Sequence, residues 1–265
     1  MPESLGNINL TWPLYATFTI AYLFGSIPFG LLVTKLSGLK DIRNIGSGNI
    51  GATNVLRTGN KYLALITLIL DCSKGFFMAL IAGYFFSKDY QILAGVAAIL
   101  GHMLPVWLII NNKIKFSNAI TQLIIMFSSL IIMLNGKSLI QLLGALILSL
   151  STFSGWGGKG VATSIGVLLC INPFTGVIIC ITWCIVLALF KYSSLSALIS
   201  FITAPIAIYL SLNLIESNPL NANEQIMELS IFISIIIWIR HIENIYRLFI
   251  GKETKVIFKK SKKII

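Results

Sequence analysis

The chain has 265 residues, of which 56% are hydrophobic and 11% charged, less than half the roughly 25% charged share of an ordinary soluble domain. With a mean hydropathy of +0.88, this excludes a water-soluble globular protein and predicts a single-domain, all-α, polytopic membrane bundle over residues 1–265. The net charge of +11 is spread over the breaks between oily runs rather than gathered in one patch, so it does not describe a nucleic-acid-binding surface.

About 20 helical residues cross a hydrocarbon core of about 30 Å, and residues 12–36 form the first run long enough. Gly25, Pro28 and Gly30 predict a kink within it, which neighbouring helices can satisfy. Residues 1–33 contain no Lys or Arg, so the basic start of a signal peptide is missing. Bases follow the run, and the N-terminus is expected outside.

Next comes GSGNIGATNVLRTGN, residues 46–60, a polar stretch without an acid. Its first six residues spell G-x-G-x-x-G, and Asp71 lies twenty residues past Gly51. A dinucleotide fingerprint needs a strand before it and a βαβ unit around it. Here a membrane helix precedes it and Asp71 falls inside another, so that reading is rejected. The chemistry of the stretch is different. Gly46 and Gly48 let backbone N–H groups converge, Ser47, Asn49, Thr53 and Asn54 add neutral donors, and Arg57 supplies a forked cation suited to phosphate. A tight interhelical turn packed through small residues explains the same stretch equally well.

Residues 62–86 and 90–110 are the next two predicted spans. His102, in GHMLP, ends the second of them and is read as structural. Residues 119–153 are apolar but broken by NGKS at 135–138, which lacks the Walker glycine because position 131 is Ile131. This predicts an inserted helical hairpin over 111–153, crossing twice or re-entrant, with no net change of side. SGWGGKGVATS, residues 154–164, is a second glycine-rich island. Lys159 and the hydroxyls of Thr163 and Ser164 stand beside a helix start at Val161, an anion-site arrangement.

Residues 161–190 are too long for one span and contain Asn172-Pro173. Two crossings turning there keep Lys159 and Lys191 on one side, as the charge pattern requires. Spans 194–215 and 226–239 bring the expected total to seven crossings, plus the hairpin. A third island, RHIENIYRLFIGKE at 240–253, continues the last span. On an uninterrupted helix His241, Asn244 and Arg247 recur at i, i+3 and i+6 and face one way. A basic tail, 252–265, ends the chain. The four cysteines all fall in apolar runs without C-x-x-C and are read as structural.

Lys35, Lys40, Arg43, Arg57, Lys61, Lys113, Lys115, Lys159, Lys191 and the tail bases occupy one set of breaks; Glu3, Asp89, Glu216, Glu224 and Glu228 occupy the other. By the positive-inside rule the basic breaks and the C-terminus are cytoplasmic. All three islands then share one face, which predicts a substrate with two anionic groups or two substrates with one each. No Ser-His-Asp set is visible, and with His102 and His241 the only histidines there is no His-rich metal cluster.

GSIPFG (25–30), DIRNIGSGNIGATNVLR (41–57), DCSKG (71–75), GGKGVATSIG (157–166) and HIENIYRL (241–248) together resemble the bacterial acyl-phosphate:glycerol-3-phosphate acyltransferase family, in order and over most of the chain. The resemblance implies a seven-helix enzyme of the bacterial inner membrane with a cytoplasmic site. Its reaction would move a fatty acyl group from acyl phosphate to the sn-1 hydroxyl of glycerol 3-phosphate, giving lysophosphatidate and phosphate, without cofactor or metal. By position, Ser47, His241 and Asn244 would be catalytic. Arg57, Lys159, Gly46, Gly48, Asn49, Asn54, Gly157, Gly158, Gly160 and Thr163 would bind substrate. Membrane lipid is an implied partner, and contact with the enzyme that makes acyl phosphate is left open. Two departures stand out. Pro105 and Gly157 are 52 residues apart where the family has a short link, and Ile242 stands where it commonly has arginine.

Acyl phosphate is an activated mixed anhydride, so positioning and charge stabilisation can suffice. The H-x-x-x-x-D motif of acyl-CoA-dependent enzymes is missing, because the fifth residue after His102 is Trp107 and after His241 is Tyr246. An organic-phosphate transporter would need interrupted helices near mid-membrane, and a phosphatase would release phosphate without an acceptor.

Overall fold

The computed structural model describes residues 8–108, 157–214 and 220–256. Every regular element among them is helical. The expected hairpin at 111–153 and residues 257–265 of the tail lie outside the described residues.

Helix α1 (Ile8–Gly25) and α2 (Phe29–Leu36) form one broken span. The break lies at Ser26–Pro28, because a proline without N–H cannot continue the ladder. Ser26 Oγ turns back to the Tyr22 carbonyl at 2.8 Å. The short α3 (Ala52–Leu56) closes the first polar loop. Asn60 then caps α4 (Lys61–Phe85), its Oδ1 accepting the Tyr62 and Leu63 amides at 3.1 Å each. Helix α5 (Lys88–Met103) is the most enclosed span and is followed by a single turn, α6 (Val106–Leu108).

Helix α7 (Val161–Ile171) and α8 (Pro173–Phe190) are separated at Asn172, as Asn172-Pro173 predicts. The Asn172 Oδ1 caps α8 at the Thr175 amide, 2.9 Å, and its Nδ2 donates to Ser211 Oγ at 2.9 Å. That ties the break to α9 (Ser193–Leu214). Helix α10 (Leu220–Arg240) is the last long helix. The chain then bends by 59° into α11 (Ile242–Phe249).

Five of these helical spans are long and apolar enough to cross a membrane, and six if the bent pair counts as one. Seven crossings were expected. Helix α7 has 11 residues, about 16 Å at 1.5 Å per residue, well short of the hydrocarbon core. The uninterrupted helix expected through His241 is corrected: His241 sits at the bend, as the cap of α11.

Helix α5 packs against α1, α4, α7 and α10, while α8 and α9 pack together beside α7. Ile99, Val167, Leu168, Phe201, Ile233 and Ile237 meet in the core. Lipid tails are as apolar as these side chains, so close packing rather than water exclusion selects the arrangement. Gly166 shows how: a Cβ there would fall closer than 3.0 Å to the Cys72 carbonyl of α4. The outer faces of α4 and α8, with Ile66, Leu80, Ile81, Ile181, Ile185 and Leu189 exposed, present the lipid-facing surface of an integral membrane protein.

Candidate active site

The first polar loop folds around its own side chains. Asp41 caps the 3₁₀ turn Ile42–Asn44 and holds Arg43 in a fork, with Nη2 at 2.6 Å and Nε at 3.0 Å from both carboxylate oxygens. Asn54, buried, donates Nδ2 to the Ile42 carbonyl at 2.8 Å and accepts the Ser47 amide on Oδ1 at 3.3 Å. Asn49 Oδ1 accepts the Gly51 amide at 2.9 Å in an Asx turn. Gly46 is in the left-handed region, φ +55, where a side chain would strike the Arg57 guanidinium. The loop therefore spends its amides on scaffolding and leaves Arg57 aimed past its glycines. Arg57 Nη2 donates to Thr254 Oγ1, and burial lowers the guanidinium's pKa, with Glu253 opposing the shift.

The other two islands meet opposite this loop. Lys159 donates from Nζ to Asn244 Oδ1, and the Asn244 Nδ2 donates to Glu253 Oε1 at 2.7 Å. Glu253 also accepts from Arg247 Nε at 2.8 Å and from Ser194 Oγ at 2.8 Å. The Arg247 guanidinium and these donors hold its carboxyl below the usual carboxylate range against the opposing pull of burial. His241 has its Nδ1 2.7 Å from the Ile237 carbonyl. Nδ1 must carry the proton to bond there, so the neutral ring keeps its free lone pair on Nε2.

These groups surround one cavity of about 1110 Å³. Ser47, Arg57, Lys159, His241, Asn244 and Glu253 form its polar head, knit by the bonds among Arg57, Thr254, Lys159, Asn244 and Glu253. From α4, α7 and α8 comes an apolar arm that includes Leu68, Phe76, Ile165, Leu169, Trp183 and Leu187. One chamber thus joins a cationic, donor-rich head to an apolar lining, a combination suited to an amphiphile with a phosphate at its head.

Of the residues singled out in the sequence, Gly46, Ser47, Asn49, Asn54, Arg57, Lys159, Gly160, His241 and Asn244 lie on the cavity wall. Gly48, Gly157, Gly158 and Thr163 stand behind it. Gly48 makes the turn, its N–H bonded to the Ile45 carbonyl at 3.0 Å. Gly157 and Gly158 are buried, and Thr163 is pressed against Gly75 of α4. Glu253, Thr254 and Ser194 were missed. The signal available was an acid, Glu253, closing the third island one residue after Lys252.

Burial lowers the Lys159 pKa to about 8, with Glu253 opposing the shift and Arg247 and Arg240 adding to it. The ammonium is therefore complete below about pH 8 and is lost above it. Since kcat/KM reports the free enzyme, it should fall about tenfold per pH unit above that value if the ammonium binds an anion. Bound anion stabilises the charge, so kcat should hold to higher pH. In Lys159→Arg the alkaline fall of kcat/KM should move up, because guanidinium stays charged. The pH profiles of kcat and kcat/KM, measured together, check this.

A model of the glycerol-3-phosphate acyltransferase family matches residues 15–251. A glycerol-3-phosphate acyltransferase of Rhizobium etli (strain CIAT 652) is 37% identical over 97% of this chain and 98% of its own length. One of Mesorhizobium japonicum is 40% identical over 93% and 98%. The crystal structure of PlsY (YgiH), an integral membrane glycerol 3-phosphate acyltransferase, is similar in its glycerol 3-phosphate form, with a TM-score of 0.65 and 30% identity over 92% of this chain and 95% of that one. Its lysophosphatidic acid form is similar too, with a TM-score of 0.66 and 28% identity over 93% and 96%.

Proposed function

The chain belongs to the glycerol-3-phosphate acyltransferase family, and from that premise we propose that this integral membrane enzyme takes its acyl group from acyl phosphate and places it on the sn-1 hydroxyl of glycerol 3-phosphate. The observation that carries the reading is the single cavity with a cationic head and an apolar arm. The arm takes the acyl chain, and the head takes the two phosphates. Arg57 grips the phosphate of glycerol 3-phosphate in a fork. Lys159 holds phosphate charge beside it, and Ser47, His241 and Asn244 orient the acceptor. The hydroxyl oxygen attacks the acyl carbonyl, the bond from that carbon to the phosphate oxygen breaks, and phosphate departs. The hydroxyl proton ends on that phosphate, directly or through His241 Nε2. Positioning and fixed positive charge supply the acceleration.

The basic breaks support a cytoplasmic site, with the N-terminus outside and the C-terminus inside, in what we propose is a bacterial inner membrane. The two donors, compared at matched chain length with glycerol 3-phosphate and purified protein in detergent, test the reading. Turnover is expected with acyl phosphate and not with acyl-CoA. Lysophosphatidate made without any compartment also separates the enzyme from a transporter. Phosphate release that needs no glycerol 3-phosphate would make it a phosphatase.

A further inference from the structure

Lys74, Asp71 and His102 are buried inside the bundle, with relative exposures of 0%, 2% and 4%. Ionisable groups at such a place are costly in a membrane protein and mark function, yet the reaction above uses none of them. Asp71 Oδ1 lies 3.0 Å from Lys74 Nζ and 3.5 Å from His102 Nδ1. Lys74 Nζ also donates to the Ile27 carbonyl at 3.1 Å, at the break between α1 and α2, where that carbonyl accepts the Phe29 amide as well. On its other edge the imidazole of His102 meets Gly158. A Cβ at Gly158 would fall closer than 3.0 Å to His102 Nε2, Cε1 and Cδ2. The Gly158 N–H donates to the His102 carbonyl at 3.1 Å. From a further helix, Arg240 Nη2 approaches the Gly157 and Gly158 carbonyls at 3.4 and 3.3 Å. Lys159 is the next residue.

We propose that Lys74, Asp71 and His102 are positioning residues: a buried charged brace that fixes the Gly157–Gly158 backbone and so sets Lys159 at the head of the cavity. The inference rests on the assignment of Lys159 to substrate phosphate. The geometry favours a brace over a proton carrier. Although Asp71 and His102 reach the cavity wall, His102 Nδ1 is buried facing Asp71 Oδ1 at 3.5 Å, an ionic approach that closes no hydrogen bond, and Nε2 is covered by Gly158, which leaves neither nitrogen open to a substrate hydroxyl. Packing alone is a poor account, since an apolar trio would fill the space without the cost of desolvating charge. The brace runs from the break in the first span, through α4 and α5, to the loop before α7. It explains why Gly158, which does not touch the cavity, has no room for a side chain.

The test uses the purified full chain in detergent, each substrate varied separately, with inhibition by inorganic phosphate as a second readout. His102→Ala and Asp71→Asn should raise KM for a phosphate substrate, and the phosphate inhibition constant, by about tenfold to a hundredfold, the scale of a displacement of about 1 Å. The kcat should change far less. His102→Asn keeps a donor toward Asp71 and should recover part of the loss. Gly158→Ala should be impaired in the same way, and Gly158→Ala/His102→Ala should be no worse than His102→Ala alone, because without the ring the added methyl meets nothing, a coupling of neighbours that separate packing defects would not show. Unchanged KM in His102→Ala and Asp71→Asn overturns the brace, as do losses of kcat and stability together at unchanged KM. Additive losses in the double variant also overturn it. Lys159→Ala separates the premise. If it retains wild-type KM and phosphate inhibition, the assignment of Lys159 fails; if it is impaired while the brace variants are not, only the brace fails.

Discussion

Arg57→Ala should lower kcat/KM for glycerol 3-phosphate by about 30-fold to several thousand-fold, because one side of a desolvated charge pair is worth about 2–5 kcal/mol. The guanidinium is half-buried on the cavity wall, held past Gly46 and bonded to Thr254, and its pKa reflects burial rather than a tight acid partner. An incoming phosphate is the counter-charge its position asks for. Arg57→Lys should recover only part, since an ammonium cannot make the two-pronged contact. Arg43 is the control on the same loop. Its fork is closed on Asp41 at the surface, and Arg43→Ala should cost much less, as exposed pairs do. Purified, monodisperse protein with both substrates varied separately gives the measurement. Near-wild-type efficiency for Arg57→Ala would make the loop a turn and its glycines mere packing.

Glu253→Ala is the second large effect expected. The carboxylate draws together Asn244, Arg247 and Ser194, from α11 and α9. The neighbouring Thr254 reaches Arg57, and the Val256 amide donates to the Lys191 carbonyl at 2.7 Å. Residues 252–256 thus strap the head of the cavity across three parts of the chain. Removing the acid leaves the Asn244 amide and the Arg247 guanidinium without their shared partner, a loss again on the order of 2–5 kcal/mol. The strap, rather than the bundle, should open. Glycerol 3-phosphate KM should rise by about 30-fold or more, as it does when the binding-competent state becomes a minor population. Thermal stability should move little, because the core of α5, α7 and α10 is untouched. Glu253→Gln retains acceptors for Asn244 and Ser194 and should fall between. Exposed Lys252, one residue away, should tolerate alanine. A large drop in thermal stability with unchanged KM would show that Glu253 holds the bundle and not the site.

Much was legible without coordinates. Hydropathy is a local sum, so the long oily runs located the helical spans, and the missing N–H of Pro28 and the capping amide of Asn172 located two breaks. Arg57, Lys159, His241 and Asn244 were legible because a forked cation, an ammonium, a ring and an amide among glycines and hydroxyls are wasteful in an oily chain unless they meet something polar. Other features depended on approach in space. The bend at His241 turns α11 away from the line of α10, and no proline or glycine marks it. Gly157, Gly158 and Thr163 belong to the right motif but stand behind the wall, since only the rotation of α7 against α4 decides which atoms face the cavity. Glu253 looked like one more residue of a basic tail, and nothing in the sequence joined Asp71, in DCSKG, to His102, in GHMLP, 31 positions away. Composition and spacing therefore determined the membrane class, the helices and the kind of chemistry at the site. Which charges meet, and which glycines are hinges rather than wall, was decided by tertiary packing, because an ion pair depends on a distance in space that the separation along the chain does not encode.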